Sequence, residues 1–204
     1  MNLPNKLSIS RILLMPIMLL VFYYIKSTEY INIFNYRMEL RFFILGILFI
    51  LGTITDFIDG SIARKYNLIT DFGKFIDPLA DKVLVLTLMI ILVESKKIPA
   101  FIPIIIMTRE FAVSGYRLVE ASKSGKVIAA SFWGKLKTTT QMIGLIFLVF
   151  DNLPFFAFIQ SKNMFEIANI YNCIGSIILL LSCIATIFSG WDYLKNGKDI
   201  LKDA

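Results

Sequence analysis

Six apolar runs divide this chain: Leu7 to Tyr24, Leu40 to Ile58, Phe75 to Val93, Ile98 to Tyr116, Leu136 to Phe150 and Phe165 to Phe188. Each is near the ~20 residues that a helix needs to cross a bilayer. In hydrocarbon every backbone N–H and C=O must be satisfied within the segment, so runs of this length are expected to be helices. Of the 204 residues, 57% are hydrophobic and 18% charged, too few polar side chains to coat an ordinary soluble domain. The expectation is an all-α integral membrane protein with six transmembrane helices and an N-terminal interfacial segment, forming one domain over residues 1–204. The first run lacks a small-residue cleavage site and reads as a retained helix. Cys173 and Cys183 share one apolar stretch and suit packing. The chain has no histidine, which excludes Ser-His-Asp and Cys-His catalysis and leaves acids, lysines and arginines for any chemistry.

The basic residues fall unevenly between the runs. Lys6, Arg11, Arg64, Lys65, Lys74, Lys82, Arg109, Arg117, Lys123, Lys126, Lys135, Lys137, Lys195, Lys198 and Lys202 lie on one side; Lys26, Arg37, Arg41, Lys96, Lys97 and Lys162 lie on the other. The positive-inside rule therefore predicts a multi-pass protein of the cell (inner) membrane with both termini cytoplasmic. Membrane lipid head groups account for the basic surplus, and no nucleic-acid partner is expected.

Four acids stand at the ends of two apolar runs, where a carboxylate is hard to accommodate: Asp56, Asp59, Asp77 and Asp81. At about 100° per residue, the three-residue step from Asp56 to Asp59 and the four-residue step from Asp77 to Asp81 put each pair on one helical face. Unpaired near hydrocarbon, four such groups would repel and would not stay ionised, so a cation must hold them. Oxygen-only ligands suit magnesium or manganese, and two divalent ions would cancel the four charges. The competing reading is that these acids cap helices or pair with Arg64, Lys65, Lys74 and Lys82 in a wet loop, but capping explains one acid per helix and not two pairs.

The full spacing is D-x2-D-G-x2-A-R-x8-G-x3-D-x3-D, through Gly60, Ala63, Arg64 and Gly73. It resembles the signature of the CDP-alcohol phosphatidyltransferase family with every fixed position filled. The resemblance implies that a phosphatidyl group passes from CDP-diacylglycerol to an alcohol, with release of CMP. Gly60 and Ala63 share the acids' helical face, where small side chains admit either a substrate or a neighbouring helix. Arg64 offers a fork of donors to a diphosphate. Gly73 suits a bend into the third helix. Pro78 either opens that helix with Asp77 as its cap or sits inside a helix that begins near Thr70.

Two further runs refine the resemblance. Asn2 to Arg11 reads as an interfacial approach to the first helix and resembles the opening N-L-P-N-x-L-[ST]-x-x-R of the bacterial phosphatidylglycerophosphate synthases, which brings Asn5 to the nucleotide end of the site. The R-E-F-x-V-x-G-x-R run from Arg109 to Arg117 also resembles theirs. Eight residues turn a helix about 80° beyond two full turns, so both arginines can face one cavity. With Lys135 and Lys137 they form a candidate anion site, against a competing reading as anchors paired with Glu110 or Glu120. By this resemblance the acceptor is glycerol 3-phosphate, whose own phosphate needs such a pocket.

The mechanism so implied places two metals on Asp56, Asp59, Asp77 and Asp81, with Asp81 also taking the acceptor's proton. Asn5, Asp56, Gly60, Ala63, Arg64 and Gly73 would bind CDP-diacylglycerol. A homodimer is expected from the resemblance alone. The rivals are a sister enzyme, of the cardiolipin or phosphatidylinositol-phosphate synthase type, and a cation transporter, which would need acids along a path near the bilayer midplane.

Overall fold

The computed structural model describes residues 3–33, 36–65, 71–124, 132–161 and 166–196. Among them are six α-helices: α1 (Leu3–Tyr24), α2 (Leu40–Lys65), α3 (Asp71–Glu94), α4 (Phe101–Ser124), α5 (Phe132–Phe150) and α6 (Ile167–Asn196). Each expected run falls on a helix, but several helices continue into charged sequence. Hydropathy marks where a helix is buried; backbone hydrogen bonding marks where it ends. The expected interfacial segment is thus the first turns of α1, and Pro78 lies inside α3, so Asp77 does not cap that helix. Gly73 is likewise within α3, so a bend at Gly73 into that helix is not what forms. By length and composition Asn5–Tyr24 and Ile167–Asp192 are apolar enough to cross a membrane.

Among the described residues, the departure from helix in the expected all-α plan, besides a short 3-10 turn at Ala157–Gln160, is an antiparallel hairpin of β1 (Tyr30–Ile33) and β2 (Tyr36–Glu39). Its register pairs Tyr30 with Glu39 and Asn32 with Arg37. The Arg37 guanidinium lies 4.2 Å from the Tyr30 ring, a cation–π contact across the strands. The hairpin ends where Leu40 N–H donates to the Glu29 carbonyl at 2.9 Å, the point at which α2 begins.

The chain divides into two compact units. Unit 1 comprises Met1–Ile98 and Ile146–Pro154, and in it α1, α2 and α3 pack against one another. Each presents a stripe at three- and four-residue steps, the spacing of one helical face. On α1 the buried positions are Asn5, Ser8, Arg11, Met18 and Phe22; on α2 they are Phe42, Leu45, Phe49 and Gly52. On α3 the stripe is Ala80, Leu84, Leu88 and Ile91, beside which Val85, Thr87, Met89 and Leu92 are buried as well. Where α2 meets α3, a Cβ on Gly52 would come 2.5 Å from a Leu84 methyl, so a larger residue there would make the Leu84 side chain shift. Each stripe is apolar at one end and polar at the other, and the polar ends coincide.

The opposite end of unit 1 is closed by a lysine. Lys97 N–H donates to the Leu92 carbonyl and Lys96 N–H to the Val93 carbonyl, with Lys96 in the left-handed region at φ 58°. This double bond is a Schellman motif that stops α3 and turns Lys97 inward. Its ammonium sits 3.4 Å from the centre of the Phe42 ring and donates to the carbonyls of Val149, at 3.3 Å, and Asp151, capping the last turn of α5. Asn152 donates to the Arg37 carbonyl, which ties the same segment to the hairpin.

Unit 2 comprises Pro99–Leu145 and Phe155–Ala204, and in it α4 packs along α6. α6 buries a polar stripe of Asn169, Asn172, Ser176, Ser182, Thr186 and Ser189. Its N-terminal half receives the preceding loop: Ser176 Oγ accepts from Phe156 N–H at 3.2 Å, Asn172 Oδ1 accepts from Phe158 N–H at 3.4 Å, and Asn169 donates to Ser161 at 2.8 Å. At Gly144 the backbone of α5 approaches α6 so closely that a Cβ would lie 2.9 Å from the Leu179 nitrogen.

Burial lowers the Lys97 pKa to about 7, a shift opposed by Asp151 and Glu39 and reinforced by Arg41. A lysine whose folded pKa lies below its unfolded value disfavours the fold while charged, so stability rises as pH climbs from about 7 toward 10.5. Thermal unfolding in detergent should therefore shift upward between about pH 7 and 9 in the parent protein. Lys97→Met should melt several degrees lower, through the lost cap, and should show a flatter pH dependence.

Candidate active site

The polar ends of the three stripes in unit 1 meet around Arg11. This guanidinium has no solvent exposure, and its Nη1 lies 2.5 Å from Asp56 Oδ1 on α2 and 2.5 Å from Asp81 Oδ1 on α3. Both carboxylates remain partly open, at 33% and 38% of their side-chain surface. Arg11 Nη2 donates to Ser8 Oγ at 3.3 Å, and Ser8 in turn donates to Asp77 on α3. Three acids from two helices are thus tied to two side chains one turn apart on α1. Asn5 is buried on the same face, one turn before Ser8.

The helical steps explain the convergence. Asp56 continues the α2 stripe of Phe42, Leu45, Phe49 and Gly52, and Asp81 stands one turn before Leu84 on the α3 stripe. Side-chain positions that bury Leu and Phe at the apolar end therefore deliver carboxylates at the other. Asp59, Gly60, Ala63 and Arg64 lie on α2 beyond Asp56, and their side chains fall outside the described residues. Gly73 is buried in the first turns of α3.

The donor set fits a hard divalent cation: carboxylate oxygens only, on helices that already converge on one positive charge. Among the described side chains no three acids are grouped as a complete metal site. Asp56, Asp77 and Asp81 are the described residues that could hold a metal, with Asp59 one turn along α2 from Asp56.

Unit 2 carries a second charged cluster. Arg109 Nη1 lies 2.9 Å from Glu110 Oε1, and Lys137 from α5 pairs with the same oxygen. Arg109 Nη2 also donates to Ser189 on α6. The pairing with Glu110 expected by the competing reading therefore forms, yet two cations share that one carboxylate. Lys137 is buried, whereas Lys135 is exposed; the Arg117 side chain falls outside the described residues, as does Glu120. Gly190 of α6 also lies beside Arg109, where a Cβ would be 3.4 Å from Arg109 Cγ.

Arg11, Ser8 and Ser189 were not among the expected site residues. An arginine in the first apolar run is itself a signal, because an intramembrane cation needs a partner. Ser189 leaves no such trace, since a serine in an apolar helix looks like a small packing residue.

Comparison with known proteins places this geometry. The family model for CDP-alcohol phosphatidyltransferase matches residues 1–188. A Bacillus subtilis protein named CDP-diacylglycerol--glycerol-3-phosphate 3-phosphatidyltransferase is 39% identical over 201 residues, covering 98% of this chain and 97% of its own. Proteins of the same name from Rickettsia bellii and Haemophilus influenzae are 39% and 37% identical, over 97% and 99% of this chain and 96% of each relative. With its two membrane-length apolar helices and a family match over nearly its whole length, the chain belongs to the CDP-alcohol phosphatidyltransferase family and is a transferase of the membrane.

Proposed function

We propose that the protein transfers the phosphatidyl group of CDP-diacylglycerol to glycerol 3-phosphate, giving phosphatidylglycerophosphate and CMP in phospholipid biosynthesis. The observation that carries this reading is the gathering of Asp56, Asp77 and Asp81 around one buried cation, within the complete family spacing. The full-length relatives carry the name of this reaction, which supports the choice of substrates.

Members of the family generally depend on a divalent metal. In this chain Asp56, Asp59, Asp77 and Asp81 would hold it, as two ions of magnesium or manganese. Bound there, the metal supplies charge neutralisation for a diphosphate. The residues do the rest. Arg64 and Asn5 bind the nucleotide end, with Gly60, Ala63 and Gly73 admitting it close to the backbone. Asp81 accepts the proton of the acceptor hydroxyl as that oxygen bonds to the phosphorus bearing diacylglycerol. The bond from that phosphorus to the diphosphate bridge breaks, and CMP leaves with the electron pair. Arg109, Arg117, Lys135 and Lys137 take the acceptor's own phosphate. The gathering of two cations, Arg109 and Lys137, on Glu110 supports that assignment.

The same reading sets one domain in the cell membrane with six spanning helices, its active site and both termini cytoplasmic, in a homodimer. The uneven distribution of lysine and arginine supports the orientation.

Purified protein given CDP-diacylglycerol and a panel of alcohols should release CMP with glycerol 3-phosphate and poorly with glycerol. Efficient turnover of phosphatidylglycerol or inositol phosphate would move it to a sister activity. Asp81→Asn should lower kcat by about a hundredfold or more, with a smaller effect on CDP-diacylglycerol binding, since proton transfer acts in the transition state. An equal loss of binding would make Asp81 chiefly a ligand. Arg109→Gln should raise the KM for glycerol 3-phosphate on the order of tenfold to a hundredfold, the worth of one charge-assisted contact, while the KM for CDP-diacylglycerol holds. Equal weakening for both substrates would leave Arg109 a structural partner of Glu110 and Ser189.

A further inference from the structure

An arginine with no solvent exposure lies directly beneath two carboxylates that are one-third open to solvent. A cation arriving from water therefore meets Asp56 and Asp81 first, with the guanidinium behind them. The guanidinium fixes one named oxygen of each acid, 2.5 Å from the same nitrogen, and through Ser8 it also reaches Asp77. These acids come from α2 and α3, and both tethers come from α1.

We infer that Arg11, backed by Ser8, is the positioning residue of the carboxylate site: it holds Asp56 and Asp81 at the separation and orientation in which they receive a divalent cation. The inference rests on the reading of Asp56, Asp59, Asp77 and Asp81 as metal ligands. Partners that orient ligating carboxylates from behind commonly carry tenfold to a hundredfold of metal affinity. A positive charge so near a metal would by itself weaken binding. Orientation prevails here because without Arg11 the two carboxylates would repel and swing apart. A lysine keeps the charge but not the planar fork that suits a carboxylate.

The test measures manganese binding to full-length protein in detergent, by the electron paramagnetic resonance of free Mn2+, beside thermal unfolding with chelator. The parent protein should bind Mn2+, and Asp56→Asn should bind it much more weakly. Arg11→Gln should lose roughly tenfold or more in affinity, and Arg11→Lys about half of that loss on a logarithmic scale. In Arg11→Lys, which retains the buried charge and so the fold, the Mn2+ concentration for half-maximal turnover should rise. The KM for CDP-diacylglycerol at saturating Mn2+ should stay put, a split that a merely structural role would not produce. Unchanged affinity in both Arg11 variants would overturn the inference while leaving the metal assignment standing. Tighter binding in Arg11→Gln would overturn it too, because Arg11 would then be competing with the metal for the same oxygens. No Mn2+ bound by the parent would remove both the inference and the metal reading beneath it.

Discussion

A guanidinium sealed from solvent and clamped between carboxylates of two other helices is the contact on which unit 1 depends. A buried charge is tolerated only with close partners, and removing one partner of a fully buried pair costs about 3 to 5 kcal/mol. The cost is smaller here on the acids' side, since they keep a third of their surface in solvent. The arginine has no such relief. Its burial therefore fixes the axial register of α1 against α2 and α3: a slide of either helix by one turn would carry an acid about 5.4 Å from its cation.

The far end of the same unit solves a different problem. There the groups to be satisfied are the Val149 carbonyl in the last turn of α5 and the Asp151 carbonyl just beyond it, and a lysine delivered by a Schellman turn donates to both. At one end of the unit a cation organises acids that a substrate can reach. At the other a cation caps backbone oxygens that are buried for good. The protein uses the same elementary rule twice, that polar groups in an apolar setting must be satisfied, and only the first application leaves a partly open site.

The helices and the faces that carry the acids were legible in the sequence, because three- and four-residue steps determine both which residues are buried and where Asp56 and Asp81 point. The ends were less so. α2 runs on through Asp59, Gly60 and Arg64 to Lys65, and α3 starts at Asp71 with Pro78 inside it, the second of the two placements that the sequence left open. The hairpin was missed because its strands are four residues each and their pairing is made partly by charged side chains. Arg11 was visible as a basic residue of the interfacial approach, and its pairing with Asp56 and Asp81 was not expected. Ser189 was not visible, since its partner Arg109 stands 80 positions away and nothing local distinguishes it from a packing serine.

Charge separates the two clusters by sign, and the sign decides which substrate needs help. Asp56, Asp77 and Asp81 against Arg11 leave two negative charges among these four side chains. Arg109 and Lys137 meet on the single carboxylate of Glu110. A diphosphate brought to the first group meets like charge in a low-dielectric setting, where repulsion is strong, and approaches only if further cations join it. On the proposed reading, a phosphate monoester brought to the second meets two cationic side chains, Arg109 and Lys137. On the proposed reading the divalent metal is therefore required by the nucleotide lipid, and the acceptor's phosphate is received by side chains alone.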